Sequence, residues 1–230
     1  MEFVRGSSFS IISFIAILVA ICSALIAGLG VASERLEFSV NREMVKVSFI
    51  AAVWLAAFTI MSINGGSLFG IPLGPVFLTI SLVAAFLASM SSYGARLALG
   101  LSLNVLVAFH AVRLPMELIL HQWAQHGTIP STVTWTGYNW DILTGFLALL
   151  IMPIASKHRG ATWFFNVCGF ILLINLLVVW LATALDFIRG PGQPLLKLAY
   201  YIPYFMIFPI YFAAIFAGHI ILTRALMRSK

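Results

Sequence analysis

The chain has 230 residues, 62% of them hydrophobic and only 9% charged, with a net charge of +6 and a mean hydropathy of +1.06. Soluble domains have about 25% charged residues, so this composition excludes an ordinary soluble fold and specifies a polytopic α-helical membrane protein. The positive charge is thin and scattered, which excludes a nucleic-acid surface and fits the cytoplasmic bias of membrane loops.

Apolar runs predict an all-α bundle of seven transmembrane helices in one domain, at about 9–32, 44–63, 73–90, 94–123, 139–155, 161–185 and 198–223. The first run is about 20 residues, longer than the apolar part of a signal peptide, and is expected to stay as a span. Ala16, Ala20, Ala24 and Gly28 recur along it every four residues. Such a small-residue face suits close approach of a partner membrane protein. Cys22 and Cys168 sit in apolar runs and read as buried thiols, with no zinc or disulfide spacing.

The connection SERLEFSVNREMVK is rich in charge and belongs in water or at headgroups. NGGSLFGIPLGP and DFIRGPGQPLLK are Gly/Pro turns, and the loop from Ala124 to Tyr138 is polar and aromatic. Pro115 is expected to kink the fourth span, and Pro203 and Pro209 interrupt the seventh. With seven spans, Arg35, Arg42, Lys46, Arg96, Lys157, Arg159, Arg224, Arg228 and Lys230 share one side, against Arg5, Arg189 and Lys197 on the other. That asymmetry predicts an external N-terminus and a cytoplasmic C-terminus in a plasma or inner membrane.

Polar groups concentrate between Phe109 and Asp141. At about 100° per residue, Arg96, His110, Arg113, Glu117 and His121 share one arc of a helix, and a stripe that narrow should face a partner rather than lipid. Rises of about 1.5 Å per residue from Arg96 put His110 about 21 Å and Arg113 about 25 Å toward the outer side. Asn139 and Asp141 open the fifth span from that same side, in the layer of Trp123, Trp135 and Trp140. One outward-facing polar cluster follows: His110, Arg113, Glu117, His121, Asn139 and Asp141. Arg113 offers a fork for Asp141, Glu117 or an anionic ligand. The plainer alternative is that Arg113 and Glu117 only neutralise each other four residues apart, and that Asn139 and Asp141 serve the start of the fifth span.

Tyr200, Tyr204 and Tyr211 share one face of a helical seventh span and are expected to wall the same cavity, with Trp135. His219 lies about 7 Å from the inner boundary set by Arg224, so His110 and His219 are expected at different depths and not as a haem pair. No metal site and no catalytic motif is indicated: HExxH, HxxxH, GxSxG and a phosphate loop are absent, as is an interior lysine in the seventh span. No cofactor is specified. The readings left are binding or transport of a small solute or lipid-like ligand through a site between spans 4, 5 and 7, an intramembrane enzyme using Glu117 and Asp141 with His110 as acid and base, and a partner subunit or assembly factor.

Overall fold

The computed structural model describes residues 2–65, 67–68 and 70–228. Gly66 and Phe69 of the second connection and Lys230 of the basic count lie outside the described residues. Among the described residues six helical segments are long and apolar enough to cross a membrane, at Ser8–Arg35, Val40–Asn64, Leu73–Met90, Leu103–Gln125, Arg159–Ala184 and Tyr204–Met227. The protein is therefore an all-α membrane protein.

The first three crossings are the continuous helices α1 (Ser8–Arg35), α2 (Val40–Asn64) and α3 (Leu73–Met90). Ser7 accepts from the Ser10 N–H to cap α1. The turn between α2 and α3 is a minimal ladder pairing Ser67 with Pro72 and Leu68 with Ile71. In α2 only Glu43, Phe58 and Ser62 are buried, while Phe49, Ile50, Val53, Ile60 and Ile63 are exposed. An apolar helix that leaves its side chains outward suits acyl chains as its surroundings.

The expected fourth span is not one helix. Helix α4 (Ser92–Gly100) ends where Leu101 and Ser102 turn extended, and Ser102 then caps α5 (Leu103–Ala108). A tight turn over Phe109–Val112 joins α5 to α6 (Arg113–Gln125). Pro115 has no N–H to offer the preceding turn, and the backbone tightens there instead of breaking. The full break lies at Leu101 and Ser102, so Arg96 does not belong to the stripe. It sits near one end of the bundle, where its guanidinium donates to Glu43 at 2.7 Å and lies over the Phe38 ring.

The expected fifth span shrinks to α7 (Ile142–Ile151), ten residues and about 15 Å long, too short to cross a core of about 30 Å. Its start lies beside α6, where Asp141 pairs with Arg113. Just past its far end the Ser156 N–H donates to Asn104 at the start of α5. Residues 126–141 fold as a half-buried loop that meets the end of α8 (Arg159–Ala184) through Thr132 and Thr183.

The final crossing is irregular before it is helical. Tight turns over Leu198–Tyr200 and Tyr204–Ile207 and a wide turn over Phe208–Phe212 precede α9 (Ala213–Met227). A regular helical wheel therefore does not apply to Tyr200, Tyr204 and Tyr211. The Pro209 carbonyl accepts from the Trp54 indole at 3.2 Å, so a backbone group left loose by the irregular turn is secured by α2. A large apolar core joins α1, α3, α6, α8 and this last segment around Phe14, Phe77, Trp123, Trp180, Phe208 and Phe212.

Candidate functional site

Helix α6 begins with Arg113 and presents Glu117 one turn later, and both side chains are fully buried. Arg113 Nη1 donates to Asp141 Oδ1 across the gap to α7. Thr144, one turn into α7, donates its hydroxyl to the same oxygen at 3.2 Å. Asp141 precedes α7 without bonding its N-terminal N–H groups through its side chain. Its carboxylate turns to the guanidinium instead.

Glu117 takes a different partner. Asn139 Nδ2 donates to both of its oxygens, at 3.0 and 3.1 Å, and to the Val133 carbonyl at 3.0 Å. Asn139 Oδ1 accepts the Asp141 N–H at 3.0 Å, which fixes Asp141 on the turn that reaches Arg113. Asn139 thus ties the two carboxylates into one unit. These hydrogen bonds hold against α6 a loop whose regular structure is one tight turn over Ser131–Val133.

Several atoms of this unit make no well-formed hydrogen bond among the described residues: Arg113 Nε and Nη2 and His219 Nε2 have none, while Asp141 Oδ2 and the Tyr211 hydroxyl have only each other's side chain and His110 only the Gly218 backbone within loose reach. Tyr211 faces Asp141. Buried polar atoms are nearly always paired, and each left single costs about 1–3 kcal/mol. Their concentration around one ion pair separates this place from the rest of the bundle.

Below the ion pair the His110 and His219 rings stack, with centroids 4.1 Å apart and planes 30° from parallel. The expected difference in depth is wrong. That expectation assumes one straight helix from Arg96, and the break at Leu101 and Ser102 removes that ruler. Two glycines make room for the stack. A methyl at Gly169 would lie 2.3 Å from His219 Cε1, and one at Gly218 would lie 3.0 Å from His110 Cε1. Face-to-face rings do not bracket one iron, so the stack offers no axial haem pair.

His219 is held from α8. Its Nδ1 meets Asn166 Oδ1 at 2.9 Å, Asn166 Nδ2 donates to the Thr223 hydroxyl at 2.7 Å, and Thr223 donates to the His219 carbonyl at 2.8 Å. The Thr223 proton is spent on a carbonyl, so its oxygen accepts and the Asn166 amide is oriented. The His219 proton then sits on Nδ1, and Nε2 presents a lone pair.

The other expected residues fall elsewhere. His121 is half-buried one turn beyond Glu117 and stacks on Trp135 at 4.3 Å. Tyr204 accepts from the Gly6 N–H at 2.8 Å and Tyr200 from the Leu73 N–H at 3.1 Å, so they fasten the starts of α1 and α3. Of the tyrosines only Tyr211 joins the network. The cluster is closed, not open to the outside: His110, Arg113, Glu117, Asn139, Asp141 and Tyr211 have no exposed surface. A cavity of about 250 Å³ lies nearby, but Ala24, Leu25, Gly28, Leu97, Leu101 and Phe109 among others line it, and it is apolar. Ala16, Ala20 and Ala24 of α1 are exposed, while Gly28 packs toward Leu101.

Sequence reasoning missed Asn166, Thr144 and Thr223 and misplaced His219. Three of them had a signal: His219 and Thr223 are one turn apart in an apolar run, and Asn166 is the lone amide in the first half of α8. No protein-family model, curated protein or solved structure matches the chain.

Proposed function

We propose that the protein is a membrane transport protein whose translocation centre is the buried Arg113–Asp141 and Glu117–Asn139 network, with a small carboxylate as the solute class. The observation behind it is the guanidinium itself: Nη1 is engaged by Asp141, and the Nε–Nη2 edge has no partner among the described residues. That edge is the face that takes a carboxylate in a fork. Ionisable groups in a membrane interior are expensive and mark solute or proton routes.

In this reading the closed bundle is an occluded state. The short α7 and the half-buried loop before it act as a discontinuous seventh crossing, an arrangement that places a binding centre at mid-membrane. The His121–Trp135 stack, one turn beyond Glu117, serves as the gate on that side, and the irregular turns over 198–212 supply the backbone that moves. The N-terminus is external and the C-terminus cytoplasmic, from the Lys and Arg asymmetry.

The test is thermal unfolding of the full chain in lipid nanodiscs against acetate, lactate and succinate, with glucose as a neutral control. A carboxylate should raise the melting temperature of the native protein. Arg113→Lys keeps the charge and loses the fork, so it should fold and lose that response. An equal response in R113K, or none to any carboxylate, would refute the reading.

An intramembrane enzyme is the second reading. It is favoured by one observation: Glu117 is fully buried and held by an amide, with no ion pair among the described residues. Such a carboxylate can exchange a proton with a reactant as readily as with a transport cycle.

A further inference from the structure

The network holds one fixed cation, Arg113, and two carboxylates, Asp141 and Glu117, all fully buried. With neutral histidines and ionised acids it would hold one uncompensated negative charge inside the membrane. That is a costly state, and one added proton removes it. The geometry offers the proton two places. One is Glu117, whose oxygens both face the Asn139 amide. The other is the stacked pair, where His219 Nε2 presents a lone pair and His110 has only the Gly218 backbone against it.

We propose that this network holds one exchangeable proton with two homes, the Glu117 carboxylate and the His110–His219 pair. When the pair holds it, one ring is imidazolium and Glu117 is a carboxylate matched by the added positive charge. When Glu117 holds it, both rings are neutral and the acid is a neutral carboxyl. The exchange moves one proton and no electrons, and neither home needs a further reactant.

The groups facing the two homes are consistent with one proton and no more. The Arg113 guanidinium acts on both rings, and Asp141 and Arg113 act on Glu117. Tyr211 stands beside Asp141 and in the field of Glu117 and Arg113. Helix α8 contributes Asn166 and the rings of Phe165 and Phe170, all neutral. Two imidazolium rings 4.1 Å apart beside Arg113 would repel each other and the guanidinium. As a device for coupling solute movement to protons, the proposal rests on the transport reading; as a proton count, it stands apart from it.

The experiment is a proton count on the full chain in nanodiscs at about pH 7. Magic-angle-spinning NMR of 15N-histidine reads the two rings, assigned with single H110Q and H219Q variants, and infrared difference between native and E117Q reads the Glu117 carboxyl. The native protein should show either an imidazolium with an ionised Glu117 or two neutral rings with a protonated Glu117. Glu117→Gln removes one carboxylate and keeps the shape, so both rings should be neutral. Adding Asn166→Asp to E117Q restores a negative charge beside His219 Nδ1, and an imidazolium should return. An imidazolium that survives in E117Q alone overturns the proposal, as does a native protein with both homes filled or both empty. Failure of every carboxylate to stabilise the protein would remove the transport reading and leave this count standing.

Discussion

Two arginine–carboxylate pairs in this protein look alike in sequence and differ in what surrounds them. Arg96 meets Glu43 near one end of the bundle, with side chains 15% and 11% exposed, beside Lys46 and over Phe38. Arg113 meets Asp141 with no exposure on either side, and the guanidinium, the carboxylate and their neighbours keep unpartnered atoms. The first pair ties the middle of α4 to the first turn of α2 and leaves charge close to water. The second stands at the centre of a network that apolar packing alone would not need. Pairing does not mark a candidate site; burial with unmatched polar atoms does.

The contrast should break most sharply at Asp141. Asp141→Ala leaves a buried guanidinium without its carboxylate and should cost about 3–5 kcal/mol, read by reversible unfolding in mixed micelles. Glycines beneath the network come next. Gly169→Ala drives a methyl into a ring pinned by Asn166, and overpacking of that kind costs about 1–3 kcal/mol. Gly218→Ala, with 3.0 Å to spare instead of 2.3 Å, should cost less in the same assay. A larger loss for G218A would mean that His219 is not seated where the stack puts it.

At the end of the bundle the effects should be small. Glu43→Gln should lower the melting temperature by less than D141A does, and added salt should narrow its difference from the native protein. Smaller still is the loop pair Asp186–Arg189. The Arg189 guanidinium hydrogen-bonded to Asp186 holds that carboxyl below its ordinary range. A lowered folded-state value contributes stability above the ordinary carboxylate range and loses it as the pH falls through the lowered value. Asp186→Asn tolerates the same left-handed backbone and should flatten that acid slope slightly, measured as melting temperature against pH.

The contrast also explains what could be read beforehand. Membrane class and most span positions follow from apolar runs, because hydrocarbon admits few other solutions. His110, Arg113 and Glu117 were legible as one face because three- and four-residue spacings survive from the tight turn into α6. Asp141 and Asn139 were legible as neighbours across the loop. The His219 stack was not, because Leu101 and Ser102 break a run whose hydropathy never falters. Ser102 was the available signal, a capping residue two positions after Gly100. The short α7 was hidden for the opposite reason: its apolar run continues to Ala155 in sequence, while the backbone turns after Ile151. The tyrosine face failed with the irregular turns at Pro203 and Pro209, where a regular period has no meaning.

The most direct test is a double-mutant cycle on Arg113 and Asp141, using R113L, D141L and the R113L/D141L protein in one unfolding assay. If the two charges meet in the interior, each single change strands the other charge, and the double variant should recover most of the loss, with a coupling of about 3 kcal/mol or more. Additive losses, with the double variant as unstable as the two singles combined, would mean that Arg113 and Asp141 do not face each other.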